Sequence, residues 1–174
     1  ARQGQLDAGR RHLQEVRAAG NADRIQLLLA ESQPLRDGGR TQEAYELLAG
    51  VLATQPEQSE LLYESALLAE KLGRHEAMEA SLRKLIRLKP EHAHAYNALG
   101  YSFAERNQRL EEAEQLVLKA LQLSPDDPFI IDSMGWVLYR KGDNQGALAH
   151  LQRAFSIRPD PEIAAHLGEV LWAL

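Results

Sequence analysis

The chain has 174 residues, with 20 Lys and Arg against 25 Asp and Glu, a formal net charge of −5 and no cysteine. The missing cysteine excludes thiol catalysis, disulfides and thiolate metal sites, and the acidic balance argues against nucleic acid, whose partners present a basic stripe. Aromatic residues are 6% of the chain, while Leu, Ala, Glu, Gln and Arg dominate. These are strong helix formers, and the Val, Ile and Thr enrichment of strands is lacking, so an all-α fold is expected. No apolar run reaches the roughly 20 residues of a membrane helix. The sequence does not begin with Met, and any targeting segment is expected to lie outside it.

In chain order, residues 1–22 read as one helix, with Leu13 and Val16 in core positions, the second helix of a truncated repeat. Four helix pairs follow, over 23–56, 57–90, 91–125 and 126–160, and residues 161–174 form the first helix of a further truncated repeat. That makes about ten helices. Within the first pair, Pro34 removes the bond to the carbonyl of Ala30, and an early end or kink near Gln33 is expected. Gly39, Gly73 and Gly142 fall between the helices of a pair, where a tight turn favours glycine. Asn107 takes that place in the third pair, with one extra residue near Leu110.

The pairs repeat. Pro56, Pro90, Pro125 and Pro159 are separated by 34, 35 and 34 residues. The third unit reads Tyr96, Leu99, Gly100 and Phe103, then Ala113, Val117, Ala120 and Pro125. The fourth reads Ile131, Met134, Gly135 and Leu138, then Ala147, Leu151, Ala154 and Pro159. The second is looser, and the unit over 23–56 is degenerate, with Glu31 and Ser32 in place of the Leu-Gly pair. A 34-residue period with these markers resembles the tetratricopeptide repeat family. The resemblance implies a right-handed α-solenoid of helix-turn-helix repeats. Gly100 and Gly135 then permit close helix approach, Tyr96, Phe103, Ile131 and Leu138 fill the space between helices, and the prolines stop the second helices.

Catalytic patterns are lacking, and the chain is read as not an enzyme, with no cofactor and no metal site. His92 and His94 sit at a loop-to-helix junction where imidazoles two apart point in different directions. They read as ordinary surface or partner-facing histidines and not as a metal site; the other histidines are His12, His75, His150 and His166. Asp126 and Asp127 precede a helix, where carboxylates stabilise the N-terminus. Arg83, Lys84, Arg87 and Lys89 form a basic run read as a solvated outer face, answered one unit later by Glu111, Glu112 and Glu114.

In tetratricopeptide superhelices the first helix of each pair lines the concave groove. Helical spacing places Glu60, Tyr63, Leu67 and Glu70 there in the second unit, then His94, Asn97, Tyr101 and Glu105 in the third. Phe129, Asp132, Trp136, Tyr139 and Arg140 follow in the fourth, and Glu162, Glu169 and Trp172 continue the line. Tyr and Trp anchor interfaces through large area at low entropic cost. Tyr63, Asn97, Tyr101, Asp132, Trp136, Tyr139 and Arg140 are therefore the expected partner-binding residues. The alternative is that the aromatics stack on one another inside the solenoid. Of the Lys and Asn side chains with which the Hsp70/Hsp90 co-chaperone branch grips its peptide, only Asn97 has a match.

The stretch Ile131 to Gly142, with Asp160 to Leu174, is similar to the C-terminal repeats of proteobacterial outer-membrane tetratricopeptide lipoproteins. One such group serves as adaptor for a periplasmic carboxy-terminal processing protease that trims cell-wall hydrolases. That resemblance implies a lipid-anchored periplasmic scaffold for protease and substrate, with the anchor outside this sequence. Composition alone leaves a cytoplasmic location open. A generic scaffold or pilus/secretin assembly factor, and the repeat portion of a larger enzyme, are the alternatives. Leu171, Trp172 and Leu174 invite self-association through truncated ends.

Overall fold

The computed structural model describes residues 21–174, and the helix expected over 1–22 falls almost wholly outside them. The described residues form nine helices and no strand: α1 (Asn21–Asp37), α2 (Thr41–Leu52), α3 (Ser59–Lys71), α4 (His75–Leu88), α5 (Ala93–Glu105), α6 (Leu110–Leu123), α7 (Pro128–Arg140), α8 (Asn144–Ile157) and α9 (Pro161–Ala173). They fall into two compact units divided after Leu88, one holding α1–α4 and the other α5–α9.

Each hairpin closes with the same hydrogen-bond pair. In the α1–α2 turn, the Gly39 amide donates to the carbonyl of Arg36 at 3.1 Å and the Arg40 amide to that of Leu35 at 2.8 Å. The α3–α4 and α7–α8 turns repeat it around Gly73 and Gly142, and the α5–α6 turn around Asn107. This geometry needs a left-handed residue after the helix. Gly39, Gly73 and Gly142 supply it at φ +77°, +68° and +89°, and Asn107 at +53°. The extra residue in the third turn is absorbed at Arg109, also left-handed at φ +46°, whose guanidinium lies 3.9 Å from the centre of the Phe103 ring.

In the first unit, Ile25, Leu28 and Leu35 of α1, Ala44 and Leu48 of α2, and Leu61 and Leu68 of α3 form one buried cluster. The expected early end at Gln33 does not occur: α1 runs through Pro34 to Asp37. Leu35 is fully buried, and Arg36 Nη1 donates to Glu64 Oε1 of α3 at 2.7 Å, so packing holds the last turn in place. Proline forfeits only the bond to the carbonyl of Ala30, an exposed residue where solvent can serve instead.

The second unit has a buried cluster of Ile131, Ala154 and Ile163 and another of Ala147, Leu151 and Val170. Side chains cap four of its five helices. His92 Nδ1 accepts from the Ala95 amide, Asp127 from Phe129 and Ile130, Asp143 from Gly146, and Asp160 from Glu162. Asp127→Ala removes the acceptor for two amides at the start of α7. We expect it to lower stability by about 1 kcal/mol in urea unfolding, whereas Asp127→Asn should retain most of the capping. The acidic run on α6 is answered by Lys141, whose Nζ lies 3.8 Å from Glu111 and also bonds Glu114, and by Arg109 beside Glu112. On α4, Arg83 pairs with Glu79 one turn earlier.

Candidate functional site

Helical spacing puts Asn97, Tyr101 and Glu105 on one stripe of α5, Asp132, Trp136 and Arg140 on one stripe of α7, and Glu162 and His166 on one stripe of α9. Three contacts join these stripes. The Trp136 indole N–H donates to Glu105 Oε2 at 2.9 Å. The Tyr101 hydroxyl donates to Glu162 Oε1 at 3.3 Å. His166 Nδ1 lies 3.0 Å from both oxygens of Asp132. The imidazole also stacks on Trp136, with ring centres 4.3 Å apart and planes 20° from parallel, and sits 6.0 Å from Tyr101. Tyr139 packs 5.3 Å from Trp136, and the Arg140 guanidinium lies 5.7 Å from the indole centre.

The second unit thus brings together Tyr101, Asp132, Trp136, Tyr139 and Arg140 of the expected set. Tyr63 stands half-buried on α3 in the other unit. Asn97 is half-buried one turn before Tyr101, and its Oδ1 accepts no hydrogen bond from any described residue. Accessibility is where the structure departs from the expected groove. Trp136 and Asp132 are each only 4% exposed, because α9 lays His166 across them. Tyr101, Tyr139 and Arg140 remain partly exposed at the margin. Trp172, by contrast, is 94% exposed.

His166 is the residue that sequence reasoning misses, since the groove line drawn along its helix passes through Glu162, Glu169 and Trp172 instead. A signal is present: His166 follows Asp132 by 34 residues, one repeat period, so the two occupy equivalent places on adjacent first helices. An acid and an imidazole at that interval meet across the stack.

Charge shapes the cluster. Burial, then the carboxylates of Glu105, Glu162 and Asp132, push the Tyr101 phenol far above its ordinary range, so it stays a proton donor. For His166, burial opposes the charged ring. The hydrogen bond to Asp132 and the fields of Asp132, Glu162 and Glu105 together outweigh it and raise the pKa. At His92, burial is the main cause holding the ring below the ordinary range, which suits its role as a neutral cap acceptor. Among the described residues, no group of three His, Asp or Glu side chains is placed to hold a metal ion, and no helix is long and apolar enough to cross a membrane.

Residues 59–92 and 79–128 match the tetratricopeptide repeat family. Over residues 59–128 the chain carries tetratricopeptide repeats. It is 42% identical over 166 residues to the TPR repeat-containing protein PA4667 of Pseudomonas aeruginosa, an alignment covering 95% of this chain and 28% of that protein. The chain therefore spans less than a third of the length of this relative. Among solved structures, the thermophilic TPR protein TTC0263 of Thermus thermophilus superposes with a TM-score of 0.75 at 25% identity, covering 85% of this chain and 81% of that one. A tetratricopeptide repeat protein from Parabacteroides merdae ATCC 43184 gives 0.77 at 18% identity, covering 96% and 64%, a likeness of fold. The all-α architecture is that of a tetratricopeptide solenoid, and in general terms such repeats are protein-interaction scaffolds.

Proposed function

We propose that the tetratricopeptide stripe of α5, α7 and α9 is a partner-binding face, and that the chain is a non-enzymatic scaffold acting through it. One observation carries this reading. The hairpin cores are filled by Phe103, Ile131, Leu151 and their neighbours, yet a second set of aromatic and acidic side chains converges on the opposite side of the same helices. Tyr101, Tyr139, Arg140, Glu105 and Glu162 form its accessible margin and Trp136 its floor. Tyr, Trp and Arg are the types that concentrate binding energy at interfaces.

The more specific form rests on the likeness of residues 131–142 and 160–174 to outer-membrane tetratricopeptide lipoproteins. In it the scaffold is periplasmic and lipid-anchored, and brings a carboxy-terminal processing protease to its cell-wall hydrolase substrates. A second reading, a generic tetratricopeptide scaffold without the protease role, is supported by the repeat matches and by the likeness to the Pseudomonas repeat protein.

Tyr101→Ala combined with Trp136→Ala should weaken capture of the physiological partner at least about tenfold, as hot-spot truncations do, in pull-downs from envelope extract scored by mass spectrometry. Recovery of neither protease nor wall hydrolase by the parent protein would discard the adaptor role. Unchanged capture by a folded double variant would discard this face.

A further inference from the structure

We propose that His166 is a proton-dependent cover over Trp136. With its proton, the imidazole is held to Asp132 and closes the floor of the partner-binding face. Without it, the ring is released and the indole becomes accessible. The idea rests on the face assigned above only in saying what is covered.

Geometry makes the case. Trp136 is 4% exposed, and the group stacked on it at 4.3 Å is an imidazole, a ring that changes charge near neutral pH. Among the described residues, that ring is hydrogen-bonded through Nδ1 alone, to both Asp132 oxygens at 3.0 Å. A doubly protonated ring donates to the carboxylate with both partners charged, whereas the neutral ring loses the ion pair and keeps an N–H on only one of its two nitrogens. The helix bearing His166 is anchored independently. Ile163 and Val170 are fully buried, packed with Ile131 and Ala154 and with Ala147 and Leu151. Release therefore means a swing of the side chain, with α9 still docked.

The charged groups around the ring come from each neighbouring helix. Asp132 lies on α7, Glu105 and the Tyr101 phenol on α5, and Glu162 on α9 itself. Arg140 of α7 faces the indole. The ionisable side chains of α8 are engaged elsewhere: His150 Nδ1 lies 3.0 Å from the Gly146 carbonyl, and Arg153 bonds Asp126 and the Pro125 carbonyl. Carboxylates thus outnumber cations about His166, and its proton is bound more tightly in the folded unit than in the unfolded chain. The stabilisation is whole below the ordinary histidine pKa and fades as pH rises through the raised value.

The chain has two tryptophans, so Trp172→Phe leaves Trp136 as sole reporter. Its emission maximum and acrylamide quenching should be followed between about pH 6 and about pH 9. Trp136 is expected to emit to the blue and resist quenching at the low end. The quenching constant should rise about twofold on alkalisation as the histidine deprotonates, with helix content by circular dichroism constant. In the same background His166→Gln should give a flat profile, and Asp132→Asn should lower the midpoint by about one pH unit. A transition that persists in His166→Gln, or a Trp136 equally shielded across the range in the parent, overturns the proposal. Should His166→Gln not fold, an unmoved midpoint in Asp132→Asn overturns it. No partner is present in the measurement, so its failure leaves the scaffold reading standing.

Discussion

Phe103→Ala is expected to destabilise the second unit by about 3–5 kcal/mol, the range for truncating a fully buried aromatic. Phe103 has no exposed surface at all. Its removal takes away apolar burial and leaves a void between helices that cannot collapse freely. It also removes the ring faced by two guanidinium groups, Arg109 at 3.9 Å and Arg106 at 5.7 Å. The first of these anchors the left-handed residue that absorbs the extra position of the α5–α6 turn, so hairpin closure should loosen with the core. Amide exchange read helix by helix, alongside urea unfolding, checks both effects. Protection should fall most in α5 and α6. A loss under about 1 kcal/mol would mean that Phe103 is not a core residue of this unit.

The second large effect concerns glycine and has opposite signs at two related places. A methyl group built at Gly100 would lie 2.7 Å from Val117 Cγ2 and 2.9 Å from the Ala113 carbonyl oxygen. The valine can rotate, but the carbonyl belongs to helix α6 and cannot step aside without moving that helix. Gly100→Ala should therefore destabilise by about 2 kcal/mol, overpacking outweighing the roughly 1 kcal/mol that alanine gains over glycine within a helix. At Gly168, the matching position of α9, the same methyl group meets nothing within 4 Å. Gly168→Ala should stabilise by about 0.5–1 kcal/mol. Thermal or urea unfolding of the two variants side by side gives the comparison, and equal signs would refute the close-approach account of Gly100.

The features that could be read from the chain are those with a local cause repeated in phase. Gly39, Gly73 and Gly142 announce a left-handed turn because few other residues tolerate one. Gly100 and Gly135, followed by Ala113 and Ala147, announce close helix contact because small residues face each other at fixed spacing. Asp127 before Pro128 announces a helix start. What could not be read depends on a third helix. Pro34 signals a break in isolation, yet Leu35 and Arg36 are held by contacts with residues far along the chain. Trp136 falls on the groove phase, and helical spacing says nothing about whether a neighbour will cover it. That neighbour is His166, whose pairing with Asp132 is visible only when one period is added to one acid. The stripe of candidate residues was thus legible, and its accessibility was not, because exposure depends on the next repeat.

The open position at Gly168 has a practical consequence. The chain lacks cysteine altogether, so a single Gly168→Cys substitution would create one uniquely reactive thiol, on a turn of α9 with room for its side chain. A maleimide dye or nitroxide attached there would start from an exposed position half a turn beyond His166, where the first side-chain carbon meets no other group within 4 Å. It would let movements of this helix be timed in an otherwise native chain.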